Sequence, residues 1–226
     1  MTCETLAGAI RLPAPPTGSR RVARGARSHF SGFLIVGDGE GRVVEVESRT
    51  EMKVGLVMLA RPDVVALEGQ VRFDWINEAG TPAAHFFDFR LTHRDGSRTA
   101  LMVKWRTKLE NAEFLHKAGM IARQVTPSFA DRVRLITDAD IDPVELYNAE
   151  LLHSVRDPDP EADAAAREAI ACLSQGGAAR LGDLAAATGH DAQGYRALVR
   201  LIRSHDLALD RRERISRDAL VRRRAA

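Results

Sequence analysis

Cysteine is nearly absent from this sequence. Cys3 and Cys172 stand near opposite ends, with no partner pattern. That excludes a disulfide scaffold and a cysteine-built zinc site, and it points to a reducing cytosol. Long apolar runs are missing too: none approaches the ~18 residues of a membrane helix. The opening MTCETLAGAIRLPAPPTGSRR lacks the basic-then-apolar order of a secretory signal. A cytoplasmic protein with no membrane partner is expected. Aromatic residues make up only 5%, which disfavours a base-stacking platform for single strands. There is no GxxxxGK[ST], so no ATPase is encoded. His29, His93, His116, His153, His190 and His205 show no metal-ligand spacing.

Arginine is abundant, and it is clustered. The net charge is only +2, yet Arg20, Arg21, Arg24 and Arg27 stand together with no acid between them. From Arg211 to Arg224 there are seven arginines against Glu213 and Asp218. Basic ends on a near-neutral body suit a polyanion, here DNA. Arg20, Arg21, Arg24, Arg211, Arg212 and Arg214 are the candidate phosphate contacts. Solvated tails are the plainer alternative.

The 226 residues suffice for two domains. Residues 1–28, rich in Pro, Gly and Arg, read as a flexible basic arm. Residues 29–156 alternate strand and helix patterns. FSGFLIV, RVVEVES, VVALEGQVRFDWI, HFFDFRLTH, RTALMVKW and VRLIT read as strands. Residues 50–60, 111–124 and 144–155 read as helices. Asp95-Gly96 marks a hairpin. Asp157-Pro158-Asp159-Pro160 is the clearest linker. Beyond it, residues 161–226 become helical: a first helix, a short one ending at Gly189, then 191–205 with Asp191 as its expected N-cap. Short helix, glycine turn, longer helix is a helix-turn-helix pattern. The alternating stretch from Leu207 predicts a β-wing, hence a winged helix; a purely structural three-helix bundle is the alternative.

Asp88 and Lys104 carry the chemistry. Asp88 interrupts the apolar run HFFDFRL, where a carboxylate is costly unless paired or bound to a cation. Lys104 ends the apolar run after the hairpin, so the two can face each other on neighbouring strands. Glu51, opening the helix before, can add a second carboxylate. An Asp holding Mg²⁺, a Lys beside it and a nearby carboxylate form a phosphodiester-cleaving set. A structural ion pair is the plainer reading of Asp88 and Lys104. His85, three residues before Asp88, falls on the other side of a regular strand and reads as a wall residue.

From about Phe30 to Lys104 the sequence resembles the TnsA-type transposon endonucleases. Glu47-Ser48-Arg49-Thr50-Glu51, Pro62-Asp63-Val64-Val65, Glu68-Gly69-Gln70, His85-Phe86-Phe87-Asp88, Asp95-Gly96 and Met102-Val103-Lys104 follow that family's motif order. The resemblance implies a PD-(D/E)xK, restriction-endonuclease-like mixed sheet flanked by helices, followed by a small winged-helix domain. It implies Glu51, Asp88 and Lys104 as the catalytic residues. Glu51, Asp88 and the Val103 carbonyl would be ligands to Mg²⁺, with Mn²⁺ as a substitute. Glu47 is a second, poorer candidate for the helix-entry carboxylate. An integrase-like transposase subunit and an AAA+ ATPase regulator would be the partners. Met102 departs from the family, which has Glu or Gln there, and a thioether is a poor ligand for Mg²⁺. A catalytically degenerate adaptor on the same fold is therefore the alternative.

Overall fold

In the computed structural model, which describes residues 12–20, 30–173 and 177–224, the β-branched and aromatic runs form the strands. β1 (Gly32–Val36) and β2 (Arg42–Val46) make an antiparallel hairpin of their own. β3 (Val64–Ile76), β4 (Pro82–His93), β5 (Arg98–Lys104) and β6 (Arg132–Thr137) form a four-stranded sheet in that order. The first three are antiparallel, and β6 runs parallel to β5, so the sheet is mixed. Gly96 turns the β4–β5 hairpin at φ 83, where a side chain is disfavoured. A parallel neighbour needs a long crossover, and α2 (Ala112–Gln124) supplies it. The Asn111 side chain caps that helix by accepting from the Phe114 N–H at 2.8 Å.

The sheet is covered on both faces. On one, Val54, Val57 and Met58 of α1 (Arg49–Leu59) pack with Leu67, Phe89, Leu101 and Val103, and the β1–β2 hairpin adds Leu34, Val44 and Val46. On the other, Ile121 of α2 meets Trp75, Phe87, Ala100 and Met102. Alternation along β5 sends Leu101 and Val103 one way and Ala100 and Met102 the other. β2 crosses β3 closely at Gly69, where a Cβ would stand 2.6 Å from Val44 Cγ1.

α3 (Pro143–Ser154) gives Ala149 to the first cluster and Leu152 to a separate rear core. That core is built by α4 (Pro160–Ala171), α5 (Leu181–Ala187) and α6 (Asp191–Arg203). They pack with a small antiparallel sheet of β7 (Ala178–Arg180), β8 (Leu207–Leu209) and β9 (Leu220–Arg223), ordered β7-β9-β8. Asn148 of α3 ties the two parts. Its Nδ2 donates to the Glu213 carbonyl at 2.9 Å, and its Oδ1 accepts from the Ile215 N–H at 2.8 Å.

Some local expectations fail. Asp191 does not cap α6; His190 precedes the helix without a side-chain cap, and Asp191 opens it at φ 45. The helix begins one residue earlier than that cap implies, so the N-cap position falls on His190. β8 is only three residues, and across the charged loop its partner strand β9 begins at Leu220, beyond the alternating stretch itself. Residues 12–20, expected within a free arm, lie against the body. The Ala14 N–H donates to the Gly41 carbonyl, and the Ser19 N–H donates to the Gln70 carbonyl. Arg21, Arg24 and Arg27 fall outside the described residues. Among the described residues no helix is long and apolar enough to cross a membrane.

Candidate active site

Regular alternation breaks at Asp88. Phe87 packs on the α2 side and Phe89 on the α1 side, although side chains two apart on a regular strand share a face. On β3, Gly69 pairs with Phe89 and Val71 with Phe87, which leaves Gln70 opposite Asp88 at φ 51. That left-handed backbone costs a non-glycine residue about 1–3 kcal/mol. The β3–β4 ribbon changes sides here and buries both Gln70 and Asp88.

The β4–β5 ladder ends at the same point, with Phe89 opposite Leu101 as its last pair. The Val103 N–H donates to Asp88 Oδ2 at 2.7 Å. Lys104 Nζ reaches the same oxygen at 3.2 Å and the Val103 carbonyl at 2.9 Å. The buried carboxylate is thus held by a backbone donor and a charged one.

Glu51 arrives from the first turn of α1. The Ser48 hydroxyl accepts from the Glu51 N–H at 3.0 Å and donates to its Oε1 at 2.9 Å, a reciprocal cap. Glu51 Oε2 accepts from the Glu47 N–H at 2.8 Å. Burial, then the Asp88 charge, push the Glu51 carboxyl from 4.5 up to about 7, against these hydrogen bonds and the Lys104 charge. The structure therefore brings Glu51, Asp88, Val103 and Lys104 to one place.

Other residues join them, Arg20, Glu47 and His85 in places the sequence does not reveal and Gln70 in a role it does not assign. Arg20 Nη2 bonds Glu47 at 2.5 Å and Gln70 Oε1 at 2.8 Å, and its guanidinium lies 5.1 Å from the Phe86 ring centroid. Arg20, read as a phosphate contact, is thus engaged at the rim of the site, and Glu47 is drawn to it. Gln70 Nε2 and His85 Nε2 are buried with no hydrogen-bond partner among the described residues. The His85 ring stands edge-on to Phe87 at 4.7 Å. Burial, with the Lys104 and Lys117 charges, lowers His85 to about 4, so it is neutral at physiological pH. The change of side at Asp88 separates His85 from a regular-strand reading. The signal for it is Gly69-Gln70: glycine inside a strand pattern marks an irregularity.

Mg²⁺ is a hard cation that takes oxygen ligands. The carboxylates of Glu51 and Asp88 and the Val103 carbonyl are of that type, and Asp88's charge reaches Glu51. Among the described residues no three acidic, histidine or cysteine side chains group as metal ligands. A bound Mg²⁺ would draw on two carboxylates, a carbonyl and water. Lys104 Nζ donates to that carbonyl at 2.9 Å, which leaves the oxygen a second lone pair. Met102 contributes nothing here, because it is 2% exposed and packs in the α2-side cluster.

The rear arginines mostly have partners. Arg211 bonds Glu213 at 3.1 Å, Arg212 bonds Asp142 at 2.6 Å, and Arg214 lies 4.9 Å from the Tyr147 ring centroid. On α6, Arg200 bonds Asp163 at 2.6 Å, Arg203 bonds Asp38 at 2.9 Å, and Arg196 bonds the Ser154 carbonyl at 3.1 Å. No protein-family model and no curated protein matches the chain.

Proposed function

We propose that the front domain is a Mg²⁺-dependent DNA endonuclease of the restriction-like type, cleaving a phosphodiester by hydrolysis. The observation that carries this is the buried Asp88 carboxylate bonded to Lys104 and the Val103 N–H, with Glu51 beside it. Mg²⁺, when bound, supplies phosphate neutralisation and a more acidic water. Asp88 and Glu51 would hold the ion, and Lys104, beside Asp88, would place its ammonium where negative charge develops on the phosphate. His85, held neutral, adds an uncharged group near Lys104. The TnsA-type resemblance extends the proposal to nicking at transposon ends, with an integrase-like transposase subunit and an AAA+ ATPase as partners.

The rear unit's order of three helices and a three-stranded antiparallel sheet supports a winged-helix reading. Its use of α6 as a DNA-reading helix is less well supported, since the side chains of Arg200 and Arg203 are only 11% and 33% exposed, against 73% and 66% for the paired Arg211 and Arg212. DNA binding is assigned instead to the loop carrying Arg211, Arg212 and Arg214. Replacing these three with alanine should flatten the log–log salt dependence of DNA binding by about 0.9 for each phosphate no longer neutralised. Arg211→Ala and Arg212→Ala alone should each change it less than Arg214→Ala, because Glu213 and Asp142 already pair with the first two. An unchanged slope in the triple variant removes the loop from the interface. Truncation is the wrong test: Ile215, Ala219 and Val221 of the same segment are core residues.

One observation favours a non-cleaving adaptor: Met102 fills an apolar cluster where the family keeps an oxygen ligand. A nicking assay on supercoiled and transposon-end DNA, with Mg²⁺ or Mn²⁺ and the partner proteins, separates the readings. Lys104→Ala should lose nicking while keeping DNA affinity, because the ammonium acts in the transition state. Met102→Gln should lower the Mg²⁺ concentration needed, and its fold must be checked by its urea midpoint, since a buried amide is costly. No nicking by the wild type, gained on Met102→Gln, establishes the adaptor reading.

A further inference from the structure

A cavity of about 510 Å³ opens at the end of the sheet away from Lys104. Its floor is aliphatic: Met58, Val64, Leu91, Leu101 and Ile136. Its rim carries four guanidinium groups, on Arg61 just after α1, Arg94 in the β4–β5 turn, and Arg132 and Arg134 on β6. The two lining acids are already in use. Asp63 bonds His93 Nδ1 at 3.0 Å, and Asp95 accepts from the Ser97 hydroxyl and N–H. Ser97 chiefly, and Arg132 to a lesser degree, hold the Asp95 carboxyl below its ordinary range. Among the described residues no carboxylate forms an ion pair with the four arginines, and Arg94 donates only to the Pro62 carbonyl at 3.2 Å. Four arginines less two aspartates leave a net charge of +2 on the lining. His93 Nε2 bonds Thr99 Oγ1 at 2.9 Å, so Asp63, His93 and Thr99 brace one wall.

The cavity continues along α1. A second one, about 270 Å³, shares Met58, Arg61, Arg134 and Ile136 with the first and adds Asp140, whose carboxylate accepts from the Thr137 N–H and hydroxyl, so four arginines face three engaged aspartates along the whole groove. Val54, Val57 and Met58 recur at helical spacing, so one stripe of α1, ~6 Å long, forms one side, and Arg61 just beyond the helix extends it. The edge strand β6 forms the other. The result is an elongated groove with an apolar floor and a basic rim.

We infer that this groove binds a segment of a partner protein that alternates aliphatic and acidic side chains. The aliphatic groups fill the floor, and the carboxylates pair with the four arginines. Protection of a sheet edge would explain Arg132 and Arg134, but not Arg61 and Arg94, which lie on other elements. A DNA backbone would satisfy the arginines and leave the aliphatic floor unfilled. The site stands apart from the cleavage centre, since Thr99 and Lys104 lie ~16 Å apart along β5. It holds whether or not that centre cuts DNA.

The test is fluorescence anisotropy of the full chain with a fluorescein-labelled probe of alternating leucine and glutamate. A probe with lysine for glutamate and an unlabelled DNA duplex are the controls. The glutamate probe should bind saturably and at least about tenfold more tightly than the lysine probe. The double variant Arg61→Glu/Arg134→Glu should weaken it by about tenfold or more. Both positions are exposed, and circular dichroism checks the fold. Three results each overturn the inference: no saturable binding of the glutamate probe, equal binding of the lysine probe, or a double variant with unchanged affinity. Displacement of the probe by duplex DNA, with DNA affinity falling equally in the double variant, reassigns the groove to nucleic acid and also overturns it.

Discussion

Asp88→Asn should reduce Mg²⁺-dependent nicking to background and leave DNA affinity within about twofold, since it removes one charge from a small site. Asparagine keeps an oxygen for the Val103 N–H, which Asp88 now accepts at 2.7 Å. It loses the anionic ligand a divalent ion needs. Lys104 retains its bond to the Val103 carbonyl, so its charge is not stranded. Asp88→Ala is a poorer probe. It leaves a buried N–H unpaired, at a cost of about 1–3 kcal/mol, and confuses folding with chemistry. The readout is conversion of supercoiled plasmid to open circle, beside a duplex-binding titration. Nicking that survives Asp88→Asn ends the proposed site, and the cutting centre would have to lie elsewhere.

Much of the sheet is legible in the sequence because its signals are local. Val64–Ile76 reads as a long β-rich run, and Asp95-Gly96 supplies hairpin chemistry that fixes where β4 ends and β5 begins. The approach of Asp88 to Lys104 follows from that hairpin. What stays hidden depends on tertiary geometry. Nothing in HFFDFRL says that the strand changes side at Asp88; that needs the left-handed Gln70 on the neighbouring strand. Arg20 reads as free charge because composition cannot reveal that Glu47 and Gln70 wait for it. Nor does the sequence say that Asp163 and Asp38 take two of the α6 arginines, Arg200 and Arg203. Met102 is visible as a departure, but its burial against α2 is a property of which face of β5 it occupies.

Glu51 should give the site a pH dependence. Its carboxyl is raised from 4.5 to about 7, first by burial and then by the Asp88 charge. Below pH 4.5 the group is protonated in both folded and unfolded chains and contributes no pH dependence. Between 4.5 and about 7 the unfolded chain ionises while the folded one still holds its proton, so stability falls as pH rises. Above about 7 both forms are ionised and the loss stops growing. A shift of this size corresponds to about 3 kcal/mol. Glu51→Gln removes that loss, though its amide satisfies only one of the two donors Glu51 now accepts, costing about 1 kcal/mol. The variant should therefore be more stable than the wild type by about 2 kcal/mol at pH 8. Near pH 5 the gain should largely vanish. Urea midpoints of both proteins at the two pH values isolate the coupled Glu51–Asp88 pair, because the substitution leaves the carboxylates away from it untouched. Mg²⁺ adds a second arm. An ion held by ionised Glu51 and Asp88 stabilises the wild type more at pH 8 than at pH 5, by an amount set by its concentration relative to its Kd. That increment should disappear in Glu51→Gln, and the Mg²⁺ requirement for nicking should fall as pH rises through 7. A wild type and a Glu51→Gln variant with the same difference in stability at pH 5 and pH 8 would show that Glu51 ionises normally. A pH-independent response to Mg²⁺ would remove Glu51 from the ligand set, leaving Asp88 and the Val103 carbonyl to hold the ion.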